Sequence, residues 1–367
     1  MLMSLIKIYS GKGKVCARAA TAARKAVRVV RSTCTRIRSN ISHPAMRRHV
    51  RGLASVVFDR TLKQHHRERA ALSTLIGQYT YLRDEVAERL VDRLDDVHSS
   101  YEFNDAIDLG CGTGHVRRAL AGRGVARLLE CDVSPAMLAA SAADAVAAPA
   151  AADDEPPLIV TQQNLDDELP ALEKESADLI TSSMNMHWVN DLPGTLVTMR
   201  RALRPNGLFL GAMLGGETLA EMRSAFVLAD LERKGGVAQR MSPLCSVADA
   251  GALLQAAGFA LPTVDTEVLT IRYPDAWTLW HHLRAMSESH ATVHRAAADR
   301  ETLLAAASIY AAAYGDPTDG SIPASFQIIY LTGWSAPQAC HRRAARCTLP
   351  TPLSKSTSLQ QCPETRA

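Results

Sequence analysis

The stretch Asp105-Ala106-Ile107-Asp108-Leu109-Gly110-Cys111-Gly112-Thr113-Gly114 decides the reading of this chain. A short apolar run ends in Asp108, and three glycines at alternate positions then lead into a helical pattern. Glycine removes the side chain where the backbone must turn tightly and lets a ligand approach the peptide groups. The helix start that follows contributes free N–H donors. A glycine triplet alone marks no more than a tight strand-to-helix turn, so its context carries the argument. The spacing is Gly-x-Gly-x-Gly, unlike the Gly-x-Gly-x-x-Gly of nicotinamide-binding folds, and a carboxylate precedes it. Asp108 would repel a diphosphate and favours a ligand bearing an amine or another cation.

The next strand-like run ends in Glu130-Cys131-Asp132, followed by Val133-Ser134-Pro135-Ala136-Met137-Leu138. Asp132 lies near the spacing expected of an acid that binds ribose hydroxyls, and Ser134 is placed to cap the following helix. Two separated carboxylates around a glycine turn suit the amino acid, sulfonium and ribose of S-adenosylmethionine.

Working outward, apolar runs at 105–110, 126–132, 158–162, 177–183 and 206–214 read as strands. Helical patterns at 113–122, 134–146 and 191–203 separate them. This alternation predicts an α/β fold, a doubly wound and mostly parallel sheet with helices on both faces. Upstream, 59–100 reads as helical, with Leu82, Val86, Leu90 and Leu94 in step. Residues 147–157, rich in proline and acids, read as a surface loop. Downstream, 215–257 is mostly helical with breaks at Gly235-Gly236 and near Pro243. A strand at 264–272, a helical block at 275–314 and a last strand at 325–334 follow. Beyond 338 the periodicity is lost. The expected organisation is a leader over 1–55, a helical segment over 56–100 and a main domain over 101–336, followed by a disordered tail over 337–367. Helical insertions at 216–245 and 275–314 are expected to cover the active face, since substrate-selecting elements attach after the later strands.

Composition sets the cellular frame. Across 367 residues the net charge is +3, but residues 1–58 carry 13 Lys/Arg and no acid. The remainder holds 28 basic and 38 acidic groups. An acid-free, Arg- and Ala-rich leader, best seen over Ala19–Arg31, carries the composition of a mitochondrial or plastid transit peptide. The alternative is a basic arm for nucleic acid or anionic lipid. The body, once freed of the leader, is acidic and predicts no nucleic-acid partner. No uncharged run is long enough to span a membrane. The eight cysteines are scattered without a Cys-x-x-Cys pair, which argues against a disulfide framework or a four-thiolate zinc site and is compatible with a reducing matrix.

The fourth strand runs into Ser182-Ser183-Met184-Asn185-Met186-His187-Trp188-Val189-Asn190-Asp191-Leu192-Pro193. A His-Trp pair at the carboxyl end of a parallel strand sits where such sheets bind ligands. His187, Trp188 and Asp191 are therefore the catalytic candidates. The plainer alternative is a packed Trp with Asn190 or Asp191 capping a helix. Glu288, His290 and His294 place an i,i+4 histidine pair on the predicted 275–314 helix. Two ligands without a third make no iron or zinc site, so solvent-facing histidines explain them better and no metal is expected. Adjacent pairs such as His65-His66 and His281-His282 cannot share a helix face.

The glycine turn and the Asp132 segment resemble the first two motifs of class I S-adenosylmethionine-dependent methyltransferases. That resemblance implies a seven-stranded sheet with an antiparallel last strand. It places Asp108, Gly110, Gly112 and Gly114 at the methionine portion of the cofactor, with Asp132 and Met137 at the ribose and adenine. Four further blocks extend a resemblance over 56–336: Val57-Phe58-Asp59-Arg60, His187–Pro193, Gly211–Leu219 and Asp319–Ile328. They are similar to the mitochondrial complex I assembly factor 5 family, described as arginine hydroxylases. The tail from Cys340 departs from that family. The resemblance implies an S-adenosylmethionine-binding enzyme of the mitochondrial matrix that hydroxylates an arginine on a complex I subunit, and leaves room for peripheral contact with the inner membrane. Residues alone predict methyl transfer, as in the similar malonyl-acyl-carrier-protein methyltransferases. A non-catalytic assembly chaperone is the third reading.

Overall fold

Crossover connections between apolar runs build a parallel sheet when each helix returns the chain to the same end. The computed structural model describes residues 56–97, 101–147, 158–165 and 172–337. Its seven-stranded sheet holds β1 (Asp105–Leu109), β2 (Arg127–Asp132), β3 (Ile159–Asn164), β4 (Ala177–Ser183), β5 (Leu203–Leu214), β6 (Ala260–Tyr273) and β7 (Ile322–Trp334). Of these, β1 to β5 follow this rule. The strand order is β3-β2-β1-β4-β5-β7-β6. β7 runs antiparallel between β5 and β6, as the methyltransferase resemblance implies. The order reverses between β1 and β4, which opens a crevice above the carboxyl ends of those strands. Asp108 stands beside Glu130 and Thr181 across the ladder, and Asp132 beside Asn164.

Nine helices occur among the described residues: α1 (Arg60–Ala71), α2 (Tyr81–Val91), α3 (His115–Leu120), α4 (Pro135–Ala147), α5 (Leu192–Ala202), α6 (Ala220–Lys234), α7 (Val247–Ala257), α8 (Ala276–Ala285) and α9 (Arg300–Tyr314). Leu82, Val86 and Leu90 of α2 recur every four residues and are buried, with Phe226 of α6, Leu279 of α8 and Tyr310 of α9, on one face of the sheet. Leu196 and Met199 of α5 and Leu254 of α7 fill the other against Ile107, Ile180 and Phe209. Burying each such leucine contributes roughly 1.5–3 kcal/mol, which fixes the sheet as a rigid support. The central strands are buried almost continuously, whereas β6 alternates half-buried and exposed positions, as one-sided edge strands do.

One expected element divides. The helical block at 275–314 is two helices separated by an irregular stretch over 286–299. Ser287 takes a positive φ of 61°, and Asp299 starts α9 by accepting a hydrogen bond from Thr302 N. The insertion at 216–245 is helical only over α6. The leader at 1–55, the loop at 148–157 and the tail from 338 lie outside the described residues.

The two late blocks, Gly211–Leu219 and Asp319–Ile328, meet in space. Gly215 N and Thr218 Oγ1 donate to Gln327 O, at 2.8 and 3.1 Å. Glu217 N donates to Gln327 Oε1 at 3.0 Å, and Leu219 N to Ser325 O at 2.6 Å. They fasten the start of α6 to β7.

Candidate functional site

The glycine turn is shaped by what surrounds it. Gly110, Gly112 and Gly114 all have positive φ, between 59° and 82°. A Cβ at Gly110 would lie 2.2 Å from Asn185 Cγ, and one at Gly114 2.5 Å from Ser141 Oγ. Gly110 thus admits the segment after β4, and Gly114 lets α4 approach. Beneath the turn, Asp108 is wholly buried and accepts a bond from Thr181 Oγ1 at 3.1 Å. Its Oδ2 has no hydrogen-bond partner. Burial pushes the Asp108 carboxyl up to about 8, and the neighbouring Glu130 charge adds to that rise. Ser134 caps α4 through its hydroxyl, which accepts from Met137 N at 3.3 Å, and Met137 is buried at the edge of the turn.

Asp132 is also wholly buried, and its partners fill it. Ser134 N and Arg67 Nε donate to Oδ1 at 2.9 and 3.0 Å. Gly112 N donates to Oδ2 at 3.0 Å, and Arg67 Nη2 donates there too. Burial works against the Arg67 cation, but the Asp132 charge and hydrogen bonds outweigh it and raise its pKa.

Arg67 comes from α1, a helix whose buried face is Lys63, His66, Arg67 and Ala70. A helix without an apolar stripe needs polar partners for its buried face. These are supplied across the carboxyl edge of the sheet. The strand-like approach to α1 is tied down by Val57 N and Phe58 N, which donate to Asn190 Oδ1 at 2.9 and 2.8 Å. Asp59 N donates to Ala291 O, and Phe58 meets Trp188 edge-on at 5.4 Å between ring centroids.

Lys63 enters a second buried cluster centred on Glu288, whose side chain is only 3% exposed. His187 Nε2 and Trp188 Nε1 donate to Glu288 Oε2 at 3.1 and 2.9 Å, and Arg83 Nη2 donates to Oε1. Lys63 Nζ donates to Ser287 O at 2.5 Å, lies 3.9 Å from Glu288 Oε2 and sits 3.4 Å above the Trp188 ring. Burial acts to raise the Glu288 pKa, but the charges of Lys63 and Arg83 and the hydrogen bond from His187 overcome it and hold the carboxylate far below the usual range. Burial depresses both Lys63 and His187. His187 is therefore a neutral imidazole at neutral pH. Its bond to Glu288 assigns the proton to Nε2 and turns Nδ1 toward Leu214 N at 3.5 Å.

Two cavities flank this cluster. One, of about 180 Å³, lies between α1 and the strand ends, lined by Lys63, Arg67, Val133, Leu165, Asn185 and Trp188 among others. The other, of about 70 Å³, is largely apolar, with Leu214, Met222, Met241, Leu244 and Phe326 beside His187, Trp188 and Glu288.

Of the candidates read from sequence, the structure gathers Asp108, Gly110, Gly112, Gly114, Asp132 and Met137 around the crevice. His187 and Trp188 stand beside it. Asp191 has a different place: it is the N-cap of α5, accepting from Gly194 N at 2.9 Å, because the chain must start a helix there. Glu288, His290 and His294 share no helix. Glu288 points inward, His290 Nε2 pairs with Thr292 Oγ1 at 2.6 Å, and His294 is exposed. Among the described residues no three His, Cys, Asp or Glu side chains gather as metal ligands. Cys111 and Cys131 are buried free thiols, and Cys245 is a half-buried one. Sequence reasoning missed Lys63, Arg67 and Arg83. The available signal for Lys63 and Arg67 was the polar helix at 60–71, with these two basic residues in i,i+4 register, whereas Arg83 lies on α2 and carried no such signal.

Residues 107–211 match the model of the methyltransferase domain family. Over 279 residues the chain is 39% identical to "Arginine-hydroxylase NDUFAF5, mitochondrial" of Danio rerio, covering 76% of this chain and 82% of that one. The chain belongs to the NDUFAF5 arginine-hydroxylase family. Similarity reaches past this family at lower identity. A malonyl-[acyl-carrier protein] O-methyltransferase of Methylovorus is 30% identical over 78% of this chain and 92% of its own. Among solved structures, the YcgJ protein of Bacillus subtilis aligns at 14% identity with a TM-score of 0.46, over 68% of this chain and 98% of that one. The sheet order places this NDUFAF5 family member in the S-adenosylmethionine-dependent methyltransferase fold.

That fold implies S-adenosylmethionine, and the residues suit it. The glycine cradle and the unpartnered Oδ2 of Asp108 offer a niche for a cationic amino-acid end. Asp132, the residue expected at the ribose, is held by Arg67.

Proposed function

We propose that this protein is a mitochondrial matrix enzyme that hydroxylates an arginine on a subunit of respiratory complex I during assembly, with S-adenosylmethionine over the glycine turn. What carries the proposal is the His187-Trp188-Glu288 cluster, set beside that turn in a chain of the NDUFAF5 family. When bound, the cofactor would supply a fixed positive charge at the site, while the oxygen atom and the two-electron oxidation that hydroxylation requires would come from an external oxidant, dioxygen with a reductant. Gly110, Gly112 and Gly114 cradle its amino-acid end, Asp108 balances its charge, and Asp132 and Met137 take the nucleoside.

The protein's own residues do the positioning, from which much of enzymatic rate derives. Glu288 fixes the tautomer and orientation of His187 and the plane of Trp188. Lys63 and Arg83 lock Glu288 in turn. The apolar pocket beside the pair suits the methylene stem of an arginine, which ends at His187 and Trp188. The acidic body draws a basic substrate segment toward it. No described helix is long and apolar enough to cross a membrane.

The test replaces the endogenous protein with His187→Phe in mitochondria, after checking that the variant folds. Loss of complex I assembly is expected. Normal assembly would show that this site's chemistry is dispensable and favour a chaperone role.

A further inference from the structure

We propose that Arg67 is an intrinsic competitor for the ribose of the nucleoside, so that loading the site requires its guanidinium to leave Asp132. The inference rests on the reading of the crevice as an S-adenosylmethionine site. Asp132 has two hydrogen bonds on each oxygen, one of each pair from Arg67. The other two come from the backbone of the glycine turn and of the α4 cap, which are fixed by the fold. Only Arg67 can be exchanged for a diol.

The cavities point the same way. Arg67 lines both the space beside Gly112, Thr113 and Met137 and the larger one beside Val133 and Leu165. Arg67 is thus a common wall of the space at the glycine turn and the space at the end of β3, which its withdrawal would open to each other. Arg67 Nη1 has no hydrogen-bond partner although the residue is only 2% exposed, so one donor is already unsatisfied in the closed arrangement.

The exchange reaches the reaction cluster through α1. Lys63 is one helical turn from Arg67 on the same buried face, and its ammonium holds Ser287 O and covers Trp188. Release of Arg67 frees one of the two polar anchors of this face, so cofactor loading and the fit of Lys63 against the Glu288 cluster are coupled. A site that is competent only when the latch is open binds with an affinity reduced by the open fraction.

The test uses the full chain and S-adenosylhomocysteine as probe. In wild type, saturating probe is expected to slow amide hydrogen exchange over 110–116 and accelerate it over 60–71. Slower exchange over 60–71 would overturn the latch. By calorimetry, Arg67→Met, similar in length but unable to pair with Asp132, is expected to bind the probe at least tenfold more tightly. Weaker binding would make Arg67 a partner of the ligand and overturn the latch while leaving the cofactor site standing. Binding by neither protein would remove the cofactor site and the latch together. Should the variant fail to fold, the wild-type exchange pattern decides alone.

Discussion

Glu288→Gln is the substitution that most sharply probes how the site is held together. Glu288 receives donors on both oxygens: His187 Nε2 and Trp188 Nε1 on one, Arg83 Nη2 on the other. An amide offers one oxygen and one NH₂ group. Whichever way it turns, an N–H faces another N–H, and the Arg83 and Lys63 charges lose their buried counter-charge. Removing one partner of a buried ion pair costs roughly 3–5 kcal/mol. At about 2–4 °C per kcal/mol for a domain of this size, the melting temperature should fall by roughly 6–20 °C. Urea denaturation and thermal scans of wild type, Glu288→Gln, Lys63→Met and the double variant measure this. The double variant should recover part of the loss, with a coupling on the order of 0.5–3 kcal/mol. The pH dependence supplies a second check. Because Glu288 is held low in the folded state, its stabilisation is present above the ordinary glutamate range and lost as pH falls through and below it. The acid limb of wild type should be steeper than that of Glu288→Gln. A Glu288→Gln protein within about 0.5 kcal/mol of wild type, the range of an ordinary surface change, would refute the cluster as described.

Further expectations follow from the crevice. Asp108, raised to about 8, is protonated in the folded state across a range where the unfolded chain is ionised. The stability it contributes is full below the ordinary aspartate range and is lost as pH rises through about 8. Asp108→Asn should therefore gain on wild type with rising pH, by up to a few kcal/mol, in denaturation curves recorded between pH 5 and 9. The same variant should bind S-adenosylmethionine poorly, and wild-type binding should release a proton near neutral pH, read by calorimetry in buffers of different ionisation enthalpy. Gly114→Ala forces a side chain into a φ of 80° and against Ser141 Oγ at 2.5 Å. It should cost roughly 1–3 kcal/mol in urea denaturation.

The strands and the glycine turn were legible because their information is local. Apolar runs of strand length, a carboxylate before Gly110 and an acid closing the next run are written within thirty residues. The closing side of the site is different. Lys63 and Glu288 are more than two hundred residues apart in sequence, and α1 carries no apolar stripe to announce which face is buried. The break over 286–299 was hidden for a related reason. No glycine or proline lies between Ala276 and Tyr314, so the helical pattern runs on unpunctuated, and only Asp299, three residues before Thr302, marks a new start. Asp191 reads in sequence both as a helix cap and as a catalytic carboxylate, because each can follow a strand end, and the structure shows it capping α5.

The chemistry itself is tested most directly by mass spectrometry of complex I subunits from mitochondria with and without this protein. The expected result is an arginine-containing peptide heavier by one oxygen atom only when the protein is present, and lost in the His187→Phe strain. A gain of one methyl group on a carboxylate instead, or no mass difference on any arginine-containing peptide, would contradict the hydroxylase account.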